Sequence, residues 1–379
     1  MLLTFSDAQA HARSWLFNQA APLWSTAGVL ADGMFAERLN ADGTAAALMN
    51  RRLRVQARQI YSFCTIGRMG WDGPWAKIAG RALDIFLDRG LQADGQCVHL
   101  FDSNGQVINR SLDLYDHAFA LFALAHAGMA LDRTDALDAS RRMLDVMLRS
   151  WKRPEGGFWE GELTPCPPYR QNPHMHMFEA ALANHQATGD AVWRSLADEL
   201  ANLFVTRLQD TETGAVTEYF DKDWSPLEGD EGSIVEPGHC LEWAWLFDTG
   251  LAEGVGAKVA EALGSFARQA GVDEARGVCI NEIYLDGRVR DAGARLWPQT
   301  ERLKAAISRY KRVGGTGQAE EIVNAYKGLW LYLDRPTKGV WLDRLNSDGT
   351  WVEEAAPASS FYHIVCALNE LHQLPAQPA

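Results

Sequence analysis

A repeat of about 60 residues is the sequence feature that most constrains how this chain can fold. About twelve segments carry apolar residues at i, i+3, i+4 and i+7, which is the periodicity of an α-helix. The links between them alternate between short turns and longer glycine-rich stretches, such as residues 37–44 (ERLNADGT) and their near copy 343–350 (DRLNSDGT). Asp-Gly steps of this kind favour β-hairpins, because glycine accepts the positive φ of a tight turn.

The helical segments follow one another without a Pro/Ser-rich linker that would divide the chain. We therefore expect a single domain over residues 1–379. The predicted helices lie near residues 5–22, 46–68, 73–91, 112–130, 133–152, 173–188, 190–209, 236–251, 253–272, 297–313, 316–334 and 357–374.

Every second predicted helix begins with polar residues that are unusual for a buried helix. In chain order they are Arg54 and Arg58, Tyr115, Asp116 and His117, His174, His176 and Glu179, His239 and Glu242, Gln299, Glu301 and Arg302, and Tyr362 and His363. Six helical hairpins in phase close naturally into a double ring, with the starts of the inner helices at one mouth. The pattern predicts an all-α (α/α)6 barrel with short β-hairpins at that mouth, where the polar residues share a pocket.

The composition disfavours several classes of partner. A net charge of −13 argues against nucleic acid or an anionic membrane. Six scattered cysteines without a C-x-x-C pair indicate reduced thiols rather than disulfides or a zinc site. The N-terminus lacks a signal-peptide pattern, and no apolar run approaches the ~20 residues of a membrane span. We expect a cytoplasmic protein, monomeric or homodimeric, that acts on a small molecule.

The polar residues at the helix starts indicate proton transfer on a polar, mostly uncharged ligand. With one residue taken from each helix, the series is Arg58, His117, His176, His239, Glu301 and His363. It contains four of the ten histidines, and histidine gives or takes a proton near neutral pH. Arg58 is suited to grip hydroxyl groups or a developing oxyanion. Trp297, Tyr115 and Tyr362 offer ring faces and hydroxyls that suit a sugar ring.

A metal or cofactor site is the first alternative. His174 and His176 lie two residues apart on a predicted helix, so they point about 200° away from each other and do not easily share one ion. The sequence has no His-Glu-x-x-His spacing and no Gly-x-Gly-x-x-Gly or Walker-type loop. We therefore expect neither a catalytic metal nor a bound cofactor.

Glycoside hydrolysis and non-catalytic binding are two further alternatives. Hydrolysis needs two carboxyl groups on opposite sides of the scissile bond. The candidates are Asp113, Asp116, Glu179, Glu242 and Glu301. Histidines outnumber carboxylates at the phased positions, which suits removal of a carbon-bound proton better. A sugar-binding or protein-interaction module on the same barrel stays open at this point.

At the same helix starts the sequence resembles the N-acylglucosamine 2-epimerase superfamily, which includes mannose isomerases and cellobiose 2-epimerases. The matching segments extend over nearly the whole chain in the order of the family. They are residues 54–61 (RVQARQIY), 113–119 (DLYDHAF), 172–180 (NPHMHMFEA), 236–243 (EPGHCLEW), 297–301 (WPQTE) and 360–363 (SFYH).

The resemblance implies a residue-by-residue assignment of roles. His239 and His363 would be the catalytic acid/base pair, and the chemistry would need no metal. The implied substrate-binding residues are Arg58, Tyr115, His117, Asn172, His176, Glu242, Trp297 and Glu301. Ring opening of an aldose and removal of its C2 proton would give a cis-enediol.

The segments 170–176 and 359–363 look more like the mannose isomerases than like the epimerases. The prediction is therefore a mannose–fructose type of aldose–ketose isomerase. A sugar 2-epimerase, or an isomerase of a phosphorylated sugar such as mannose 6-phosphate, is the alternative. Arg54, Arg170 and Arg302 are the candidates for binding a phosphate, although surface or carboxylate-pairing roles suit them equally.

Overall fold

A computed structural model of the protein describes residues 4–47, 49–251 and 254–375. These residues form thirteen α-helices: α1 Phe5–Trp15, α2 Ala21–Thr26, α3 Leu53–Arg68, α4 Trp75–Ile85, α5 Leu114–Leu131, α6 Thr134–Ser150, α7 Gln171–Thr188, α8 Ala191–Leu203, α9 Pro237–Gly250, α10 Val255–Gly271, α11 Leu296–Val313, α12 Thr316–Leu333 and α13 Ala358–His372. π-Helical turns at Leu16–Ala20, Phe86–Gly90 and Phe204–Leu208 follow α1, α4 and α8, and a 3₁₀ turn covers Glu231–Ser233. The first π-helical turn joins α1 to α2.

Short strands lie in the links between the helices. Those in the described chain are β1 Arg38–Leu39, β2 Arg51–Arg52, β3 Leu100–Phe101, β4 Val107–Asn109, β5 Tyr169–Arg170, β6 Tyr219–Phe220, β7 Ile234–Val235, β8 Val272–Asp273, β9 Val278–Cys279, β10 Glu282–Tyr284, β11 Val289–Asp291, β12 Ala294–Arg295, β13 Arg344–Leu345 and β14 Ala356–Pro357. They pair antiparallel in small sheets of order β1-β14, β2-β3-β4, β5-β6, β11-β10-β7, β8-β9 and β12-β13.

The helices form two concentric rings. Helices α3, α5, α7, α9, α11 and α13 contact one another in that order, and α13 returns to α3, which closes the inner ring. The outer helices pack against them in the pairs α3–α4, α5–α6, α7–α8, α9–α10, α11–α12 and α13–α1. The predicted (α/α)6 barrel is thereby confirmed.

The burial pattern separates the two rings. The outer helix α6 buries a single stripe that includes Ala136, Met143 and Met147, as an amphipathic helix on a core does. The inner helix α5 is buried on nearly all sides. By length and composition alone, α5 is the one described helix that would suit a membrane span, which the sequence analysis did not anticipate. Here it is mostly buried, because it packs between α3 and α7 inside the barrel.

Extended backbone leads into every inner helix. Strands β2, β5, β12 and β14 end directly before α3, α7, α11 and α13, and β7 ends two residues before α9. Before α5, Asp113 forms a β-bridge with Gly161 and caps the helix by accepting a hydrogen bond from the backbone N–H of Tyr115 at 2.7 Å. These junctions fix the direction of the first helical turns at one end of the barrel.

One helix begins well after the start that the sequence pattern predicts, and others begin within about two residues of it. The helix predicted near residues 46–68 begins at Leu53, because the two preceding residues form β2. The helix predicted near 253–272 begins at Val255. Parts of the predicted segments and of the predicted domain lie outside the described residues, namely 1–3, 48, 252–253 and 376–379.

An aromatic stack ties the N-terminal outer helix to the last inner helix, and its removal is expected to destabilise the fold. The ring of Trp24 lies 4.8 Å from that of Trp341 and 5.4 Å from that of Phe361, and the Trp24 side chain is 1% exposed. Trp24→Ala should lower the free energy of unfolding by about 3–5 kcal/mol, measured by urea denaturation. Val313→Ala, at a half-exposed position, should change it by less than about 0.5 kcal/mol. Equal effects of the two substitutions would contradict this role for the stack.

Candidate active site

A cavity of about 270 Å³ lies at the end of the barrel where the inner helices begin. The first two turns of all six inner helices and the links before them form its walls. The lining residues are Arg58, Tyr115, Asn172, His176, Glu236, His239, Glu242, Arg295, Trp297, Asp343, Ser359, Ser360 and His363. The predicted site residues among them are Arg58, Tyr115, Asn172, His176, His239, Glu242, Trp297 and His363.

A buried carboxylate orients His363. Its Nδ1 lies 2.9 Å from Oε1 of Glu301, whose side chain is fully buried. The carboxylate accepts the Nδ1 proton, which leaves a lone pair on Nε2 of the neutral ring. Burial lowers the pKa of His363 to about 4. Near pH 7 the side chain is therefore neutral and able to accept a proton.

His239 also contacts buried carboxylates, but its pKa is shifted in the opposite direction. Its Nδ1 lies 2.9 Å from Oε1 of Glu218 and 3.8 Å from Oε2 of Glu236. Burial alone would lower the pKa of His239, but the two carboxylates outweigh burial and raise that pKa to about 9. Near pH 7 this imidazole is protonated and able to donate a proton.

The amide of Asn172 lies against His239 and fits a protonated imidazole once it is rotated by 180°. Asn172 Nδ2 and His239 Nε2 lie 3.1 Å apart, and within the described residues Asn172 Oδ1 has no hydrogen-bond partner. A protonated imidazole donates at both nitrogens, so a 180° rotation of the amide would place Oδ1 on the Nε2 proton. That orientation satisfies both groups.

Trp297 contacts both histidines. Its ring centre lies 4.8 Å from that of His239 and 5.9 Å from that of His363. A Cβ atom at Gly238 would come within 2.7 Å of the same indole, so this close packing requires glycine at position 238. The indole therefore forms a wall of the cavity that the acid and the base share.

Arg58 is a buried cation without a carboxylate partner in the described part of the chain. Its guanidinium carbon lies 4.0 Å from the ring centre of Phe119 and 5.1 Å from that of Tyr362. Its Nη2 donates a hydrogen bond of 2.7 Å to the hydroxyl of Tyr115. The Nε atom has no partner among the described residues. A cation held in this way is suited to stabilise an anionic oxygen of a bound substrate.

Burial shifts the pKa of two further polar side chains in the wall towards their uncharged forms. His176 Nδ1 lies 3.0 Å from Glu179, whose carboxylate accepts hydrogen bonds of 2.7 and 2.8 Å from the Tyr362 hydroxyl. Burial lowers the pKa of His176 well below its ordinary value. Burial also raises the pKa of Glu242 to about 8, and Glu301 reinforces this shift. Both groups are thus suited to hydrogen-bond sugar hydroxyls.

Three groups of possible metal ligands lie around the cavity, with ligand atoms within 4.8 Å of one another: His176, Glu179 and Glu242; Glu218, Glu236 and His239; and Glu242, Glu301 and His363. Protein side chains already balance their charge. The ammonium group of Lys304 lies 2.6 Å from Glu301 and 3.7 Å from Glu242, and Arg295 lies 2.9 Å from Glu236. We therefore propose no metal at these positions.

Two predicted substrate-binding residues do not line the cavity, which corrects their placement. His117 is fully buried. Its Nδ1 lies 2.7 Å from the carbonyl oxygen of Asp113, and its Nε2 accepts a hydrogen bond of 3.2 Å from the backbone N–H of Cys97. Tyr115 and His117 lie two residues apart on α5, so only one of them faces inwards. Glu301 contacts His363 and is itself shielded from the cavity.

The structure also adds residues that the sequence analysis did not select. Those in contact with the site are Glu218, Glu236, Arg295, Lys304, Asp343, Ser359 and Ser360. Glu236 and Arg295 directly precede the inner helices α9 and α11. Their position at a helix start could have identified them from the sequence. Glu218 lies in the link between α8 and α9, and only its contact with His239 reveals it.

Comparisons with known proteins identify the family of the chain. The family profile of N-acylglucosamine 2-epimerase (GlcNAc 2-epimerase) matches residues 33–367. Mannose-6-phosphate isomerase of Rhizobium meliloti (strain 1021) is 41% identical over 374 residues, which cover 94% of this chain and 95% of the relative. D-mannose isomerase of Thermobifida fusca is 29% identical over 310 residues, 73% of each chain. The structure of cellobiose 2-epimerase from Bacillus thermoamylovorans B4167 has a TM-score of 0.87 at 15% identity and covers 97% of this chain and 99% of its own.

The helical barrel and these relatives define an enzyme of the sugar isomerase and epimerase class. The chain belongs to the N-acylglucosamine 2-epimerase family. The resemblance that the sequence motifs indicated is confirmed. The comparisons favour an enzyme over the alternative of a non-catalytic binding module.

The charge of His239 is expected to depend on Glu218. Glu218→Gln removes the nearest carboxylate while keeping the side chain's size, so burial should lower the pKa of His239 from about 9 by on the order of one unit or more. NMR titration of protein with labelled histidine measures this pKa directly. The exposed Glu228→Gln is the matched control and should leave the titration unchanged. A His239 pKa that stays near 9 in Glu218→Gln would contradict the assignment.

Proposed function

We propose that this enzyme interconverts mannose and fructose through a cis-enediol, with His363 as the base and His239 as the acid. The observation that carries the proposal is a pair of histidines on one cavity, each 2.9 Å from a buried carboxylate. Their surroundings shift the two pKa values in opposite directions, which favours a neutral His363 and a protonated His239. Proton transfer between adjacent carbons needs both states at the same pH.

Ring opening comes first in the proposed sequence. His239 donates its Nε2 proton to the ring oxygen of the bound aldose as the bond from that oxygen to C1 breaks. The O1 proton of the sugar returns to His239, which restores its charge. The open-chain aldehyde then lies in the cavity with its C2 proton towards His363.

The isomerisation follows as two proton transfers at carbon. His363 Nε2 takes the C2 proton, and the electron pair forms the double bond between C1 and C2. Arg58 stabilises the negative charge that develops on O1, which then takes a proton from His239. His239 recovers a proton from O2 as the C2 carbonyl forms, and His363 returns its proton to C1. The product is the ketose, and both histidines regain their starting charges.

The size of the cavity supports a monosaccharide substrate. Its volume of about 270 Å³ lies just below the ~300–1,000 Å³ of pockets that hold drug-sized ligands. One sugar ring suits this volume better than a disaccharide does. The two relatives that carry mannose in their names support a hexose.

Isomerisation of mannose 6-phosphate is the second candidate, favoured by the relative that is 41% identical and carries that name. The charges at the cavity favour the free sugar. Glu236 and Asp343 line it, and Arg295 is already paired with Glu236 at 2.9 Å. None of the three arginines considered for a phosphate lines the cavity, since they contact Asp116, Glu160 and the carbonyl oxygen of Gly277.

An assay in deuterated water tests the proposal. The enzyme should convert mannose to fructose and exchange deuterium at carbon, and it should act on mannose with a higher kcat/KM than on mannose 6-phosphate. Glucose as the sole product would show a 2-epimerase. A higher kcat/KM for the phosphate ester would establish the second candidate, and no turnover of either sugar would refute both.

His363→Ala is expected to abolish most of the turnover while it leaves sugar binding largely intact. Loss of a positioned base typically costs about 10²–10⁴-fold in rate. The measurement is kcat for mannose together with sugar affinity by calorimetry. His372→Ala, at an exposed position on the same helix, is the matched control and should keep its activity. Near-normal turnover by His363→Ala would rule out the proposed base.

A further inference from the structure

The two catalytic histidines differ in charge although their partners have the same geometry. Each Nδ1 lies 2.9 Å from a buried carboxylate oxygen. The difference lies in what the two carboxylates contact. Glu301 contacts the buried Lys304, whereas Glu218 contacts no lysine within the described residues. Lys304 belongs to α11, one helical turn beyond Glu301.

We propose that Lys304 is a positioning residue for the base: its ammonium group holds one oxygen of Glu301, so that the other oxygen orients His363 without drawing a second proton onto the imidazole. The inference deepens the proposed function, because the role of His363 as base rests on that function. Lys304 itself does not line the cavity and acts through Glu301.

The surroundings of Lys304 show a cation enclosed by the site. Its side chain is completely buried, and Nζ lies 2.6 Å from Glu301 Oε2, 3.7 Å from Glu242 Oε1 and 3.8 Å from the ring centre of Trp245. Burial opposes the charge of Lys304, but Cys366, Glu301, Glu242 and Glu179 outweigh it and raise the lysine pKa. The ammonium group is therefore a permanent charge beneath the cavity.

The charged and titratable groups around His363 come from five of the inner helices. They are Arg58 of α3, His176 and Glu179 of α7, His239 and Glu242 of α9, Glu301 and Lys304 of α11, and Tyr362 and Cys366 of α13. Burial raises the pKa of both Glu179 and Glu242. Glu301 is the exception, since burial opposes its charge but Lys304 and His363 lower its pKa. The anion next to His363 is thus matched by one cation.

Removal of that cation should leave Glu301 as an uncompensated anion beside the imidazole. A buried carboxylate without a cation favours a protonated histidine, as Glu218 and Glu236 do for His239. His363 would then hold a proton over a wider pH range and would fail as a base there. A lysine that only stabilises the fold would change stability and leave this titration unaltered.

The experiment compares the pH dependence of kcat/KM between the wild-type enzyme and Lys304→Met. Because His363 must be neutral, activity is lost as the pH falls through its pKa. In Lys304→Met this acid limb should move to higher pH by on the order of one unit or more. For a one-unit rise from about 4, the neutral fraction of His363 at pH 5, and with it the rate relative to its plateau, should fall about twofold. Lys311→Met, on the same helix and paired with Glu370 at 2.7 Å, is the matched control and should leave the limb in place.

NMR titration of His363 provides a readout that does not depend on turnover. The signal is assigned by its loss in His363→Ala, and Lys304→Gln serves if Lys304→Met does not fold. The inference holds if the His363 midpoint rises in the neutral variant and stays low in Lys304→Arg. An unchanged midpoint in a folded neutral variant, or a wild-type His363 that is protonated at pH 6, would overturn it. Absence of sugar turnover by the wild type would instead refute the proposed function and leave the titration interpretable.

Discussion

The charge balance at the centre of the barrel is the constraint on which the site depends. Three carboxyl groups, of Glu179, Glu242 and Glu301, lie among fully or nearly fully buried side chains of α7, α9 and α11. A buried ion is costly unless it is paired and hydrogen-bonded. Lys304 supplies the cation, and burial raises the pKa of Glu179 and Glu242 towards neutrality. The pairing with Lys304 and these pKa shifts together reduce the cost of burying carboxyl groups around a polar cavity.

The proposed acid and the proposed base are chemically identical side chains, and their surroundings make them different. His239 contacts Glu218 and Glu236 and is held as a cation. His363 contacts a single carboxylate whose charge a lysine already balances. A sequence motif identifies a histidine but does not give its charge, because that charge depends on groups from several helices. Which histidine can donate a proton and which can accept one is therefore decided only when the inner helices close into a ring.

The barrel could be predicted from the sequence because the pattern that encodes it repeats along the chain. The repeat of polar residues at alternate helix starts predicted the inner ring and eight of the side chains that line the cavity. His117 was wrongly placed, because a position two residues from Tyr115 faces the opposite side of α5. Lys304 was not recognisable, since a lysine in a helix is normally exposed and only the packing of α9 and α13 against α11 buries it. Glu218 lies in a link whose position relative to His239 no local pattern encodes.

The unequal charges of the two histidines bear on the choice between isomerisation and epimerisation. In isomerisation His363 takes a proton from C2 and returns it to C1, so each turnover restores a neutral base and a protonated acid. Epimerisation would take a proton from one face of C2 and deliver another to the opposite face, which leaves His363 protonated and His239 neutral. The carboxylates beside His239 and the lysine behind Glu301 both oppose that reversed state. This asymmetry supports the proposed isomerisation, in which one base serves both carbons, whereas an epimerase would gain from a more symmetric pair.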